Sequence, residues 1–300
     1  MFQKTIRSSV SASGIGVHSG KKVRINLHPA PINTGVVFKR VDHSPAIEIP
    51  AVVGSVVDTR LSTCIGKDGV MVGMVEHLLS AVAGLGIDNL IVEVEAEEMP
   101  IMDGSSSPYV FLLQSSGVVN QKGGKKPFIV IDKTVKVGTE NAHCSISPHK
   151  GFRVSFSIDY DHPNFNEQNQ KAIFDFSTVT YLTALCRART FGFIKDKATY
   201  LKQNLALGSS MENAVWLGED TILNEHGLRY HDEFVRHKIL DAIGDLYLLN
   251  HAVIGHFTGH KSGHTLNNQL LNAIISDDSN YHIAYDIDLP LYDEPTAEAV

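Results

Sequence analysis

Val235-Arg236-His237-Lys238-Ile239-Leu240-Asp241 places two metal-ligand side chains and a cation within about two turns of an otherwise apolar pattern. His237 and Asp241 stand four residues apart, so on an α-helix their Cβ atoms lie roughly 5–6 Å from each other on one face. Leu240, Ile243, Leu246 and Leu249 recur at helical spacing and predict the buried stripe that holds this helix, with Gly244 and Asn250 marking where it thins out. A second helix is predicted from Gly73 to Gly86, apolar at the same spacing, ended by glycine and running into a strand from Leu90 to Val94. The two stretches echo each other, Leu78-Leu79-Ser80-Ala81-Val82-Ala83-Gly84-Leu85 having the pattern of Ile239-Leu240-Asp241-Ala242-Ile243-Gly244-Asp245-Leu246. A duplication of this kind predicts an α+β fold in which two similar layers lie face to face.

The 300-residue length predicts two domains of roughly 100–200 residues each. Hydrophobic content of 43% with 20% charged residues is that of a soluble globular chain. The net charge of -7 and pI near 6.1 argue against a nucleic-acid partner, which calls for a basic field. Cys64, Cys144 and Cys186 are widely spaced and form no Cys-x-x-Cys pair. That suits a reducing compartment, the cytoplasm, and offers no cysteine-built metal cage. The apolar run from Leu78 to Ile87 falls short of the about 20 residues that span a bilayer, and no transmembrane segment is expected.

From Lys21 to Leu27, Val23, Ile25 and Leu27 alternate with Lys22, Arg24 and Asn26, the period of a half-buried strand. Gly35 to Val41 and Ala51 to Val57 are predicted as strands in the same way. Gly14 to Gly20 is a glycine-studded loop without the spacing of a dinucleotide fingerprint, and His18 in it reads as a solvated turn residue. Met99 to Pro108 predicts a turn and then a helix with Pro108 in its first turn. Asn120 to Pro127 has linker composition and sets the boundary between a domain of residues 1–122 and one of residues 127–300. Strands are predicted at Phe128 to Val137, Phe152 to Ile158 and His251 to Phe257. A helix is expected from Thr178 to Ala188, an insertion from Ile194 to Val215, and a last helix after Thr265.

If the two echoing helices face each other, His77 joins His237 and Asp241 in a two-His, one-carboxylate set, the inventory of a catalytic zinc site with a fourth position open to water. Such an ion lowers the pKa of water from about 15.7 to about 7. Neighbours on a helix diverge by about 100°, so one of Glu76 and His77 can ligate while the other flanks; with His77 as the ligand, Glu76 is placed as a general base. Lys238 and His264 offer positive charge or a proton, and Thr190 a hydroxyl for an oxyanion. Fe2+ suits the same ligand set. The metalloprotease string His-Glu-x-x-His is absent. A non-catalytic, metal-stabilised binding protein is the alternative, but a structural ion calls for four protein ligands, usually rich in cysteine.

Glu76-His77-Leu78-Leu79-Ser80-Ala81, Gly86-Ile87-Asp88-Asn89, Pro100-Ile101-Met102-Asp103-Gly104-Ser105, Arg189-Thr190-Phe191-Gly192-Phe193, His237-Lys238-Ile239-Leu240-Asp241-Ala242-Ile243-Gly244-Asp245-Leu246 and Gly259-His260-Lys261-Ser262-Gly263-His264 resemble the motifs of the zinc-dependent UDP-3-O-acyl-N-acetylglucosamine deacetylases of lipid A biosynthesis. The six occur in the family's order over nearly the whole chain. The resemblance implies that His77, His237 and Asp241 bind zinc and that Glu76 is the base. His264, oriented by Asp245, is then the cationic partner of the leaving group and oxyanion, with Thr190 also on the oxyanion. Lys238 and Lys261 are implied to meet the diphosphate and sugar, and Phe191 to line the hexose pocket. The implied fold is two similar two-layer α/β sandwiches packed face to face with the site between them. The implied substrate is an acylated UDP-sugar, the implied reaction hydrolysis of its N-acetyl group, and the protein is expected to act as a monomer. Ser62 stands where relatives often carry cysteine, and a lysine that some members place early in the second domain has no clear counterpart around Ala142-His143. Tyr160 is a candidate to stack on uracil.

The resemblance also implies a passage for the acyl chain built by the second domain's insert. Ile194, Ala198, Leu201, Leu205, Leu207 and Val215 are more apolar than a solvated excursion requires. Burying about ten methylenes at roughly 0.8 kcal/mol each contributes on the order of 8 kcal/mol before ordering costs. Ile194, Ala198, Leu201, Leu207 and Val215 are therefore expected to contact the acyl chain.

Overall fold

The structure, a computed structural model, describes residues 1–165, 169–285 and 287. The first 125 residues begin with strands β1 (Phe2–Ile6), β2 (Val10–Ile15), β3 (Lys22–Pro29), β4 (Val36–Arg40) and β5 (Ile47–Pro50). A small three-stranded sheet follows, β6 (Val56–Asp58), β7 (Cys64–Lys67) and β8 (Val70–Val72), then α1 (Glu76–Leu85), β9 (Leu90–Val94), α2 (Ser107–Ser115) and β10 (Val118–Lys125). The second half opens with β11 (Phe128–Ile131), β12 (Val135–Gly138), β13 (His143–Ser147), β14 (Phe152–Ser157), β15 (Lys171–Asp175) and α3 (Thr178–Ala184). It continues through β16 (Phe191–Phe193), α4 (Ile194–Lys202), β17 (Val215–Leu217), α5 (Glu233–Leu246), β18 (Ala252–His260), α6 (His264–Ile275) and β19 (Tyr281–Ala284).

One pattern of ladders is written twice. In the first half β9 lies between β3, to which it is antiparallel, and β4, to which it is parallel. In the second half β18 lies between β13 and β14 with the same two polarities. Parallel neighbours need the chain to cross back over the sheet, and α1 and α5 lie on those two crossovers. The strands that open and close each half also pair, β1 with β10 and β11 with β19. Among the described residues no ladder joins a strand before Lys126 to one after it. The α+β class expected from the echo of the two helices is the class observed.

Alternation turns one face of each main sheet inward, with Val23, Ile25 and Leu27 of β3 and Phe152, Val154 and Phe156 of β14 buried. The outer face of β18 carries the half-exposed His256, Thr258 and His260. α1 packs on α5, and α5 in turn on β14 and β15. All ten residues of α1 are buried, the mark of a helix covered on every side, and only Arg236 and Lys238 of α5 escape burial. The two helices cross at Gly244, where a Cβ would lie 2.1 Å from the carbonyl oxygen of Glu76. Gly244 is therefore the point of closest approach and not a place where the helix thins, since α5 continues to Leu246.

Other expectations change for physical reasons. Asn120 to Lys125 is strand, paired with β1 as Lys4 to Asn120 and Gln3 to Gln121. Its polar residues disguise it because hydrogen bonds, not apolar burial, hold it: Asn89 donates to the Gln121 side-chain oxygen at 2.7 Å and Gln121 donates to the Ala30 carbonyl at 2.8 Å. β10 thus runs on to Lys125, past the expected end at residue 122. Ala51 to Val57 is not one strand, because a 3₁₀ turn at Val53–Ser55 carries the chain from the first sheet to the ladder of β6 with β7. The stretch from Phe128 to Val137 is two strands, β11 and β12, in different ladders. The Thr178 helix ends at Ala184. α1 starts at Glu76 and not at Gly73, since Met74 has φ of +59°. That break places the Glu76 carboxylate in the first helical turn, where the helix dipole favours it.

Candidate active site

His77 of α1 meets His237 and Asp241 of α5 beside the helix crossing, all three 2–3% exposed. His237 Nε2 lies 3.2 Å and His77 Nε2 3.6 Å from Asp241 Oδ1, and the two rings stand edge to face with centroids 5.0 Å apart. One ligand atom from each residue falls within 4.8 Å of the others. Bonds of about 2.0–2.1 Å in tetrahedral geometry need ligand atoms about 3.3 Å apart, so the set fits a small divalent cation after minor adjustment. The stronger sign of fit is Asp241 Oδ1, buried without a hydrogen-bond partner, the kind of orphan that a fold does not tolerate unless something binds it. His237 Nδ1 donates to the Ala188 carbonyl at 3.0 Å, leaving the Nε2 lone pair aimed at the site.

Electrostatics agree. Burial pushes His237 down to about 4, despite Asp241 beside it, so its imidazole is neutral and able to ligate. Burial works against the charge on Asp241, yet the Lys238 ammonium beside it holds its carboxyl well below the usual range. Lys238 Nζ donates to Asp241 Oδ2 at 2.9 Å, and that carboxylate outweighs the burial that would otherwise discharge the lysine.

Glu76, next in sequence to a ligand, is 1% exposed and its pKa is raised by burial against the pull of His264 and His77. The backbone N–H of Thr63 donates to its Oε2 at 3.1 Å, which leaves Oε1 facing His264 Nε2 at 3.8 Å. His264 opens α6, where the helix dipole disfavours a cation. Burial disfavours it further, but Asp245 and Glu76 more than offset both and push it up to about 9. Its Nδ1 donates to Asp245 Oδ2 at 2.9 Å. A raised carboxyl facing a protonated histidine is the acid–base pairing that amide hydrolysis needs.

These groups line one end of a cavity of about 620 Å³ whose wall draws on both halves. Thr190, Phe191, Lys238, Lys261 and Tyr160 lie on that wall. Thr190 is placed by two backbone bonds of 2.8 Å, its N–H to the Gly104 carbonyl and its carbonyl from Val215. Asp245 sits one layer behind, on His264. The insert also reaches the cavity, but through other residues than expected. Asp196, Tyr200, Ala206, Ser209, Ala214 and Trp216 line it. Ile194, Leu201 and Leu207 are 38%, 41% and 48% exposed, and Ala198 is exposed as well. On α4 the inward face is Asp196 and Tyr200, four apart, so Ala198 and Thr199 between them turn to solvent while Lys197 lies over the Trp216 ring, 4.8 Å from its centroid. Val215 is fully buried in the core while its strand neighbours Ala214 and Trp216 face the cavity.

Three groups escaped the sequence reading. Thr63 and Asn267 sit in the hydrogen-bond network of Asp245 with no periodic signal to reveal them. His18 is not a solvated turn residue: it lines the cavity with both ring nitrogens buried and unpartnered. Its loop is held by Glu98, which accepts from the backbone of His18 at 3.1 Å and Ser19 at 2.7 Å. Leu207 and Gly208 of the insert donate to the carbonyls of His18 and Val17. The readable signal was Gly16, where a Cβ would lie 2.0 Å from the Glu98 carboxylate.

The sequence profile of the family described as UDP-3-O-acyl N-acetylglycosamine deacetylase matches residues 3–276. The chain is 54% identical over 281 residues to the UDP-3-O-acyl-N-acetylglucosamine deacetylase of Alcanivorax borkumensis, covering 94% of this chain and 92% of that protein. The protein of that name from Coxiella burnetii is 52% identical over the same shares. The one from Thioalkalivibrio sulfidiphilus is 54% identical over 91% of this chain and 90% of its own.

Proposed function

The chain belongs to the UDP-3-O-acyl-N-acetylglycosamine deacetylase family, amide hydrolases of lipid A biosynthesis, and from that premise we propose how its residues divide the reaction. His77, His237 and Asp241 hold a divalent cation, with zinc favoured by the ligand set and Fe2+ compatible with it. When bound, the cation supplies Lewis acidity toward the acetyl carbonyl and toward water. Glu76 takes the proton of the attacking water at Oε1, the oxygen that Thr63 leaves free. Thr190 donates its hydroxyl to the oxyanion as the acetyl carbon becomes tetrahedral. His264, kept cationic by Asp245, faces the same centre and gives its Nε2 proton to the departing amine. Lys238 and Lys261 offer positive charge to the diphosphate and sugar, and Phe191 with Tyr160 offers ring faces to the hexose and uracil.

The reading also includes two units, ending and restarting around Lys125 to Pro127, a monomer as the active form, and the cytoplasm as the compartment. Buried free thiols at Cys64, Cys144 and Cys186 support the last. Among the described residues no helix is long and apolar enough to cross a membrane. The single observation that carries the metal-dependent mechanism is the buried, orphaned Asp241 Oδ1 between two imidazoles. Stripping the protein with a chelator is expected to abolish turnover while far-UV circular dichroism is unchanged, and zinc is expected to restore it. Chelator-resistant turnover, or unfolding with metal loss, would sink the reading.

The acyl chain is proposed to lie between the His18 loop and the inward face of the insert. Ala214→Phe narrows that space and is expected to raise KM for a long-acyl substrate far more than for a short-acyl one. Ala198→Trp, on the solvent side of α4, is expected to leave both unchanged. The opposite ranking would move the passage to the outer face of the insert.

A further inference from the structure

We infer that Thr63 is a positioning residue that ties the general base of one half to the histidine–aspartate pair of the other, an inference that rests on the roles proposed for Glu76 and His264. Thr63 immediately precedes β7 and is 2% exposed. Its N–H holds Glu76 Oε2 at 3.1 Å, while its hydroxyl lies 2.5 Å from Asp245 Oδ1 and 3.2 Å from His264 Nδ1. A hydroxyl has one proton and two lone pairs, and an ionised carboxylate only accepts. The proton therefore goes to Asp245, and the hydroxyl oxygen is left to accept a share of the His264 Nδ1–H.

The consequence is an Asp245 fixed at both oxygens. Oδ2 accepts from His264 at 2.9 Å and Asn267 at 2.8 Å, both on α6, whereas Oδ1 is held from the other half by Thr63 alone among the described residues. The carboxyl torsion of aspartate is intrinsically broad, so the hydroxyl is what stops Asp245 from swinging. A swing would carry the His264 ring with it and change the 3.8 Å separation between His264 Nε2 and Glu76 Oε1. Misplacement by about 1 Å typically costs on the order of 100-fold in rate. Thr63 thereby acts through two groups without touching the substrate.

Valine keeps the shape of Thr63 and its backbone bond to Glu76 but deletes the hydroxyl, and serine keeps the hydroxyl. In the metal-loaded enzyme Thr63→Val is expected to lower kcat about 10- to 100-fold, with KM and metal content unchanged. Thr63→Ser is expected to retain nearly all turnover. Combined with His264→Gln, Thr63→Val is expected to add no further loss, because it acts through that histidine. Should the valine variant fail to fold, Thr63→Ala carries the same comparison. Wild-type kcat in Thr63→Val, or losses that add in the double variant, overturns the inference while leaving the role of His264 intact. Wild-type kcat in His264→Gln overturns the role of His264 itself, and with it this inference.

Discussion

Glu76→Gln is expected to keep its metal and lose about 10²–10⁴ in kcat, the usual value of a general acid–base group. Glutamine preserves the volume of the side chain and can still accept from the Thr63 N–H, so the first turn of α1 stays in place. It cannot take a proton at the position now held by Oε1, 3.8 Å from His264. Burial raises the pKa of Glu76, which makes the native carboxylate a stronger base than an exposed one and the loss correspondingly large. Glu76→Ala should lose as much activity but also some stability, since it leaves the Thr63 N–H buried without an acceptor, at about 1–3 kcal/mol. Metal content and single-turnover rate decide the matter. A glutamine variant that is folded but metal-free would make Glu76 a ligand, and one with near-native turnover would remove it from the chemistry.

Asp241→Ala is the other large effect, and its losses are of two kinds. The cation loses its only anionic ligand, so metal and activity should disappear together. Lys238, whose side chain is 17% exposed, loses the carboxylate 2.9 Å away that balances its charge. Removing one partner of a buried pair typically costs about 3–5 kcal/mol, which lowers Tm even before metal loss is counted, though the partial exposure of Lys238 softens it. Asp241→Asn separates the two contributions. Its amide oxygen still accepts from Lys238, so stability is expected to recover while metal affinity and turnover do not. An asparagine variant that retained stoichiometric zinc would show that the two histidines suffice, and would move the third ligand elsewhere.

The site was more legible than the fold that carries it. His237 and Asp241 could be placed on one helical face by spacing alone, and the echo of Leu78 to Leu85 in Ile239 to Leu246 was enough to bring His77 opposite them. What local spacing does not carry is any contact made across the chain. β10 was hidden because Asn120 and Gln121 are strand residues satisfied by hydrogen bonds to distant partners. His18 looked like a turn residue because the insert that covers its loop comes nearly two hundred residues later. The apolar residues of the insert were visible, but which of them face inward depends on how α4 is rotated, and Asp196 and Tyr200 took the inner face. Gly244 is ambiguous in the sequence, since a glycine in a helix can mark a weak point or a near contact, and here it is the near contact.

That near contact bears on how the molecule comes into being. Each half closes its own ladders from its own residues, so most backbone order can form before the halves meet. The spacing of Glu76 and His77 from His237 and Asp241 depends instead on the contact of the α1 backbone with Gly244, which only docking of the two halves makes. A chain in which the halves have folded but not yet docked would have nearly native ellipticity and no working centre. During refolding, activity is therefore expected to return after ellipticity does, a delay that recording both during one refolding reaction would reveal, and return of the two together would exclude.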